Sequence, residues 1–362
     1  MYALAQLLCA LGGWAVVRHL RRPTPWTFAS VAACSGMLAL THYWALYLLA
    51  AVFVLLLARR RWSTAGAVAA GGVLFVPWLP SFVYQLKHTG TPWAPRPQPS
   101  ALVDAVFEWA GLGTVSRFLG LSLMLLALLA VLGRGVDATR VELDLRGNPV
   151  PRRLAGVVFG TLALGVLLGL LLGSGYAARY SSVVLVPFLV LAAMGTQVFV
   201  SPRVRRGVIG FVLVLGAVGS FAAVLTPRTQ AGAVAAALRS RATPGDVVVY
   251  CPDQLGPSVS RLTQEGLDQR VFPTGAAPER VDWVDYQQRN TSADPRAFAR
   301  SVLAAAGPRP VWLVVAGGYR TFGDRCDMLL EALRAERPAN EVVVRSRGRY
   351  RPERMSLVRF GP

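Results

Sequence analysis

The sequence predicts a multi-pass α-helical membrane domain followed by a C-terminal α/β domain. Three observations predict it. Of the 362 residues, 54% are hydrophobic and 16% charged, against about 25% charged in soluble chains. The apolar residues fall into long runs separated by short arginine clusters. The acids divide unevenly, with 5 in residues 1–227 and 14 in residues 229–362, so membrane and polar parts meet near residue 228.

A formal charge of +19 in a soluble chain would point to nucleic acid. Here the basic residues of the first part sit between apolar runs. That is a membrane pattern, and no nucleic-acid partner is expected. Residue 1 leads straight into apolar sequence with no basic stretch before it, so no secretory signal is expected.

A bilayer core of about 30 Å needs about 20 apolar residues as a helix. The candidate spans are residues 2–17, 26–57, 65–83, 118–132, 154–172, 181–200 and 207–225. The second would be about 48 Å long at the 1.5 Å rise of a helix, too much for one ordinary crossing. Arg18, Arg21 and Arg22 precede it and Arg59, Arg60 and Arg61 follow it. The positive-inside rule puts both flanks in the cytoplasm, which requires an even number of crossings. The run therefore reads as two short helices turning at Thr41-His42-Tyr43-Trp44.

The remaining spans follow in order. Residues 65–83 exit, 84–117 form an external loop, and 118–132 re-enter to an arginine-rich 134–153 loop. Residues 154–172 exit, 181–200 return to Arg203, Arg205 and Arg206, and 207–225 exit again. This gives about eight crossings of the cell membrane, with residue 1 outside and domain 228–362 extracytoplasmic.

In that C-terminal domain, residues 246–251, 311–316, 341–345 and 355–360 read as strands, and 259–267 and 326–337 as helices. Strands alternating with helices predict a largely parallel sheet. Cys251 and Cys326 are the thiols of this part, and a bridge between them is left open, since it needs Cα atoms within about 7 Å. Gly317-Gly318 lacks the spacing of a phosphate-binding turn and reads as a plain turn.

Ionisable groups at membrane depth or at its edge are costly unless they face a cavity or a partner. His42, with Tyr43 beside it, reads either as a pocket wall for phosphate or sugar or as an interfacial belt. Arg179, followed by Tyr180, offers a planar cationic fork suited to phosphate; the alternative is snorkelling to headgroups. Pro77 and Pro80 kink the span that leads to Gln85, Lys87, His88 and Trp93, a loop of cationic and aromatic groups that is otherwise simply solvated. Asp104 and Glu108, four apart, share a helix face and either orient a substrate, act as a base, or face solvent.

These segments resemble the integral-membrane GT-C glycosyltransferases that use polyprenyl-phosphate sugars, the family 39 group of protein O-mannosyltransferases and aminoarabinose transferases. The resemblance, closest to bacterial mannosyltransferase-like members, lies in the opening Met1-Tyr2-Ala3-Leu4-Ala5-Gln6-Leu7-Leu8, in Thr41-His42-Tyr43, in the Pro77-Trp78-Leu79-Pro80 helix leading to Gln85-Leu86, and in Arg179-Tyr180 before the helix with Pro187. It covers residues 1–225. It implies a partial GT-C fold and inverting transfer of a sugar, mannose in the members it most resembles, from polyprenyl phosphate to an extracytoplasmic acceptor. It also implies that the general base lies on an acidic loop before Met1, so that the chain is N-terminally truncated and no catalytic residue is assigned. The expected substrate-binding residues are Arg179, Tyr180, His42, Tyr43, Lys87, Trp93 and Gln85. Some members use a divalent metal, and without an acidic cluster here metal use stays open. The alternatives are a non-catalytic membrane-anchored binding or assembly module and, third, a lipid-linked-sugar transporter, for which neither inverted repeats nor charged relays are found.

Overall fold

The structure, a computed structural model, describes residues 1–89, 94–111, 113–173, 175–348 and 353–362. The chain divides into two compact units, Met1–Tyr84 with Ala94–Val224, and Gln85–Trp93 with Leu225–Pro362.

The first unit is built from apolar helices whose ends are set by a few polar residues. Helix α1 (Tyr2–Arg21) ends with Arg18 and Arg21 in its last turn, where cations complement the helix dipole. Helix α2 (Pro25–Thr41) starts at Thr24, whose side chain accepts the Thr27 N–H, with Pro25 at the first position, where its missing N–H costs nothing. His42 then becomes extended (φ −157°) and α3 (Trp44–Ala58) begins two residues on. The 26–57 run is thus two helices broken at the expected turn.

Helix α4 (Trp62–Val73) passes through a 3₁₀ turn, Val76–Trp78, into α5 (Leu79–His88). Pro77 and Pro80 lie in this stretch, and each removes an N–H donor. After α6 (Ala101–Ala110) and α7 (Thr114–Leu132) comes a hairpin, β1 (Gly133–Gly135) against β2 (Val141–Leu143). The sequence reading has only a loop here. The Asp137 carboxylate closes the hairpin by accepting the Thr139 and Arg140 N–H groups. Helix α8 (Pro149–Leu172) is followed by a long 3₁₀ segment, Ala178–Val184, which runs into α9 (Leu185–Gly195), and α10 (Pro202–Leu225) closes the unit.

Among the described residues six helical stretches are long and apolar enough to cross a membrane: Tyr2–Arg21, Trp62–His88, Thr114–Leu132, Pro149–Leu172, Ala178–Val198 and Pro202–Leu225. Trp44–Ala58 is a shorter apolar helix. No residue of α10 is buried, and a 24-residue apolar helix left bare suits a hydrocarbon solvent rather than water.

The two sets of helix ends differ in chemistry. His19, only 3% exposed, ties three helices together where the first arginine clusters lie, its Nδ1 2.7 Å from Thr27 Oγ1 and its Nε2 3.0 Å from Ser63 Oγ. The β1 glycines, flanking Arg134, pack against Val198, just ahead of Arg203. Tyr2, His42 and Tyr180 gather instead at opposite helix ends. The Arg18–Arg22 and Arg59–Arg61 clusters and the Tyr2, His42 and Tyr180 group therefore lie at opposite helix ends.

In the second unit, α11 (Ala231–Arg241) precedes β3 (Val247–Cys251), α12 (Gly256–Ser260), β4 (Asp268–Val271), α13 (Tyr286–Ser292), α14 (Pro295–Ala306), β5 (Val311–Val315), α15 (Arg325–Glu336), β6 (Asn340–Val344) and β7 (Ser356–Phe360). The sheet order is β4-β3-β5-β7-β6. β4, β3 and β5 are parallel, and β7 alone runs against its neighbours. One face carries Leu238 of α11 with Leu255 and Val259 around α12; the other carries Ala299 of α14 and Leu329 of α15. The expected 259–267 helix stops at Ser260. Thr263 turns its hydroxyl back to the Ser260 carbonyl, and Gly266, at φ +87°, closes a turn that its missing Cβ permits. Cys251 and Cys326 form a disulfide, with Cα atoms 5.5 Å apart.

Helix contacts in the first unit rely on missing side chains. Gly195 of α9 sits directly on the Leu126 carbonyl of α7, so backbones meet where a methyl would not fit. Gly195→Ala should cost about 1–3 kcal/mol and lower the thermal unfolding midpoint in detergent. Gly207→Ala, with open space around that position, should leave the midpoint unchanged or slightly raised.

Candidate functional site

The first unit breaks its helices twice near one point. At the first break, His42 is 8% exposed, and its Nδ1 accepts the Trp44 N–H at 3.2 Å. This satisfies the first turn of α3, and it fixes the neutral ring with its proton on Nε2. The imidazole therefore presents a donor on its far side.

At the second break, the 178–184 segment is pinned from two sides. Trp109 Nε1 donates to the Ala178 carbonyl at 3.2 Å and Ser181 Oγ donates to the same oxygen at 2.7 Å. Tyr176 contributes its ring to Trp44 at 5.5 Å and its hydroxyl to Ser181 at 3.1 Å. On this fixed segment Arg179 is exposed and its guanidinium lies 5.5 Å from the Tyr180 ring centre. Tyr180 is in turn 5.8 Å from the His42 ring, and Tyr2 approaches His42 from the other side at 5.4 Å. A cation, a directed imidazole donor and two phenols thus converge, which is an arrangement able to hold a phosphate and the polar edge of a sugar.

Of the residues singled out from sequence, the structure brings together His42, Arg179 and Tyr180. Tyr2 joins them unforeseen; its only sequence signal is its place in the opening motif. Tyr43 turns to a neighbouring aromatic group, its ring 4.8 Å from Phe82 and its hydroxyl accepting the Trp78 indole N–H at 3.0 Å. Asp104 and Glu108 lie on α6, both exposed. Partial desolvation, and then the Asp104 charge, hold Glu108 above the usual glutamate range. Gln85 and exposed Lys87 lie on the last turn of α5, which groups with the second unit. There His88 Nδ1 is 3.0 Å from the Asp285 carboxylate, and the Asp285 N–H donates to the His88 carbonyl at 2.7 Å. Trp93 lies outside the described residues. Among the described residues no group of three or more His, Cys, Asp or Glu side chains could hold a metal ion.

No family model matches the chain, and neither does a curated protein or a solved structure. The function is therefore argued from these residues.

The second unit carries a separate polar network that the sequence reading passed over. Asp253, 5% exposed, follows β3 and accepts the Tyr286 hydroxyl proton, while Gln254 Nε2 donates to that hydroxyl at 3.2 Å. Burial is the largest influence on Asp253 and pushes its pKa up to about 6, with the Tyr286 and Arg289 contacts opposing it. Burial also raises Tyr286, and it pushes Tyr319 up to about 12, with the Glu353 and Asp253 charges adding to it.

A carboxyl whose folded pKa is raised favours the fold when protonated. This contribution is complete below the ordinary aspartate range and is lost as pH climbs from about 4 through about 6. The C-terminal unit should lose roughly 3 kcal/mol over that window. Pulse proteolysis in urea at fixed pH values checks this, and Asp253→Asn should flatten the profile.

Proposed function

We propose that the chain is a membrane glycosyltransferase of the polyprenyl-phosphate-sugar type, with the Tyr2, His42, Arg179 and Tyr180 cluster binding the donor. The observation that carries the reading is Arg179, exposed beside the Tyr180 ring on a segment that Trp109 and Ser181 hold rigid, next to an imidazole whose free N–H is oriented by the helix break.

Transfer breaks the bond between the sugar C1 and the phosphate oxygen, forms a bond from C1 to the acceptor oxygen, and releases the acceptor hydroxyl proton to water. Negative charge grows on the departing phosphate. A fixed guanidinium stabilises that charge far more at a poorly hydrated bilayer edge than in water. His42 Nε2–H adds a hydrogen bond, and the phenol rings offer faces to the sugar. Asp104 and Glu108, on the helix whose Trp109 holds Ala178, orient the acceptor.

Arginine asymmetry supports an extracytoplasmic side for this cluster and for the C-terminal domain. The Cys251–Cys326 bridge supports that assignment, because disulfides persist in oxidising compartments.

Transfer from mannosyl polyprenyl phosphate, followed in membrane vesicles with labelled sugar, should fall about 100-fold or more in Arg179→Ala. Arg179→Lys should recover little of it, since the fork geometry is lost. Undiminished turnover in Arg179→Ala, at equal membrane content, would remove the residue from the site and sink the reading.

A further inference from the structure

The second unit reverses its strand order at β3. The chain runs from β3 to β4 on one side and returns to β5 on the other. α12 lies between the first two strands in sequence and its surroundings pack on one sheet face; α14 lies between the next two and packs on the opposite face. Such a reversal opens a crevice at the carboxyl ends of the strands, where α/β domains place ligands. Here the ladder's last bond is the Ala316 N–H to the Cys251 carbonyl at 3.0 Å. Beyond it the strands part, one into Pro252-Asp253 and the other into Gly317-Gly318.

The groups at this parting are polar, buried and incompletely used. Asn290, one helical turn after Tyr286, is 0% exposed, and its Oδ1 has no hydrogen-bond partner. Its amide lies beside the Tyr286 hydroxyl. Thr321, on the loop after β5, is 1% exposed with its hydroxyl also unpartnered. A buried acceptor without a partner costs on the order of 1–3 kcal/mol, a penalty that a bound hydroxyl would relieve. At the outer edge, Trp283 is 38% exposed and lies 4.7 Å from the Tyr286 ring.

Charge narrows the ligand class. Asp253 stands after β3, and the Asp327 carboxylate lies 3.5 Å from where a Gly317 side chain would begin. Arg289, a nearby cation, is engaged by Asp282 at 2.7 Å and by the Val284 carbonyl at 3.1 Å. Two carboxylates repel phosphate, so this switch point differs from those that take nucleotides.

We propose that the crevice between the ends of β3 and β5 binds a neutral carbohydrate, with Asp253 and Asn290 hydrogen-bonding its hydroxyls and Trp283 covering a sugar face. The proposal rests on the second unit alone and holds whether or not the membrane cluster transfers sugar.

The test is saturation-transfer NMR and calorimetry on the full chain in nanodiscs, which avoids sugar-headed detergents. The probes are free hexoses, neutral hexose oligosaccharides and the corresponding hexose phosphates. The expected result is saturable binding of neutral sugar, with the oligosaccharide arm stronger if the source is a glycan chain and the two neutral arms equal if it is free sugar. Trp283→Ala, at an exposed site, and Asn290→Leu, which removes the orphaned acceptor at similar volume, should each weaken binding tenfold or more. If Asn290→Leu fails to fold, Trp283→Ala decides alone. No neutral binding at millimolar sugar, binding of the phosphates only, or affinity unchanged by the substitutions would overturn the proposal.

Discussion

A backbone N–H or C=O without a partner costs several kcal/mol in hydrocarbon, and the first unit is arranged around the places where its helices break despite that cost. The breaks at His42 and at Ala178 are each repaired by side chains. At His42 an imidazole nitrogen takes the Trp44 N–H. At Ala178 an indole and a hydroxyl converge on one carbonyl. The repairs do more than stabilise: the first orients the imidazole and the second holds the arginine. Function, on this account, grows from the same groups that make irregular backbone tolerable at the membrane edge.

Charge gives these breaks a direction. Arg18 to Arg22, Arg59 to Arg61, the hairpin arginines and Arg203 to Arg206 all fall at helix ends opposite to the His42 and Tyr180 ends. The His19 bonds to Thr27 and Ser63 join three arginine-bearing ends without any appeal to a bilayer. A transferase reading needs this asymmetry, since it assigns one end to cytoplasmic anchoring and leaves the other for chemistry.

How much of this was legible in the sequence depended on whether the signal was local. The 26–57 break could be read because a run too long for one helix has arginines at both ends. Arg179 stood out because charge is rare between apolar runs. Strands β3 and β5 are uninterrupted apolar segments and were equally plain. Tyr2 was not legible as a site residue, because only packing against a helix forty residues away brings its ring to His42. The hairpin after α7 depends on a single aspartate bonding two N–H groups, and the early stop of α12 on one glycine turn. Asp253 and Asn290 look like ordinary loop and helix residues until the sheet reverses its strand order around them.

The central proposal is that the arginine-bearing helix ends face the cytoplasm and the C-terminal unit is extracytoplasmic. Single cysteines decide it directly, placed at exposed Ala138 in the hairpin and at exposed Ser240 on α11, in a background lacking Cys9 and Cys34. With an impermeant thiol reagent on sealed cells, Ser240→Cys should label at once and Ala138→Cys only after lysis. Labelling of Ala138→Cys in intact cells, or protection of Ser240→Cys until lysis in a folded chain, would contradict the account.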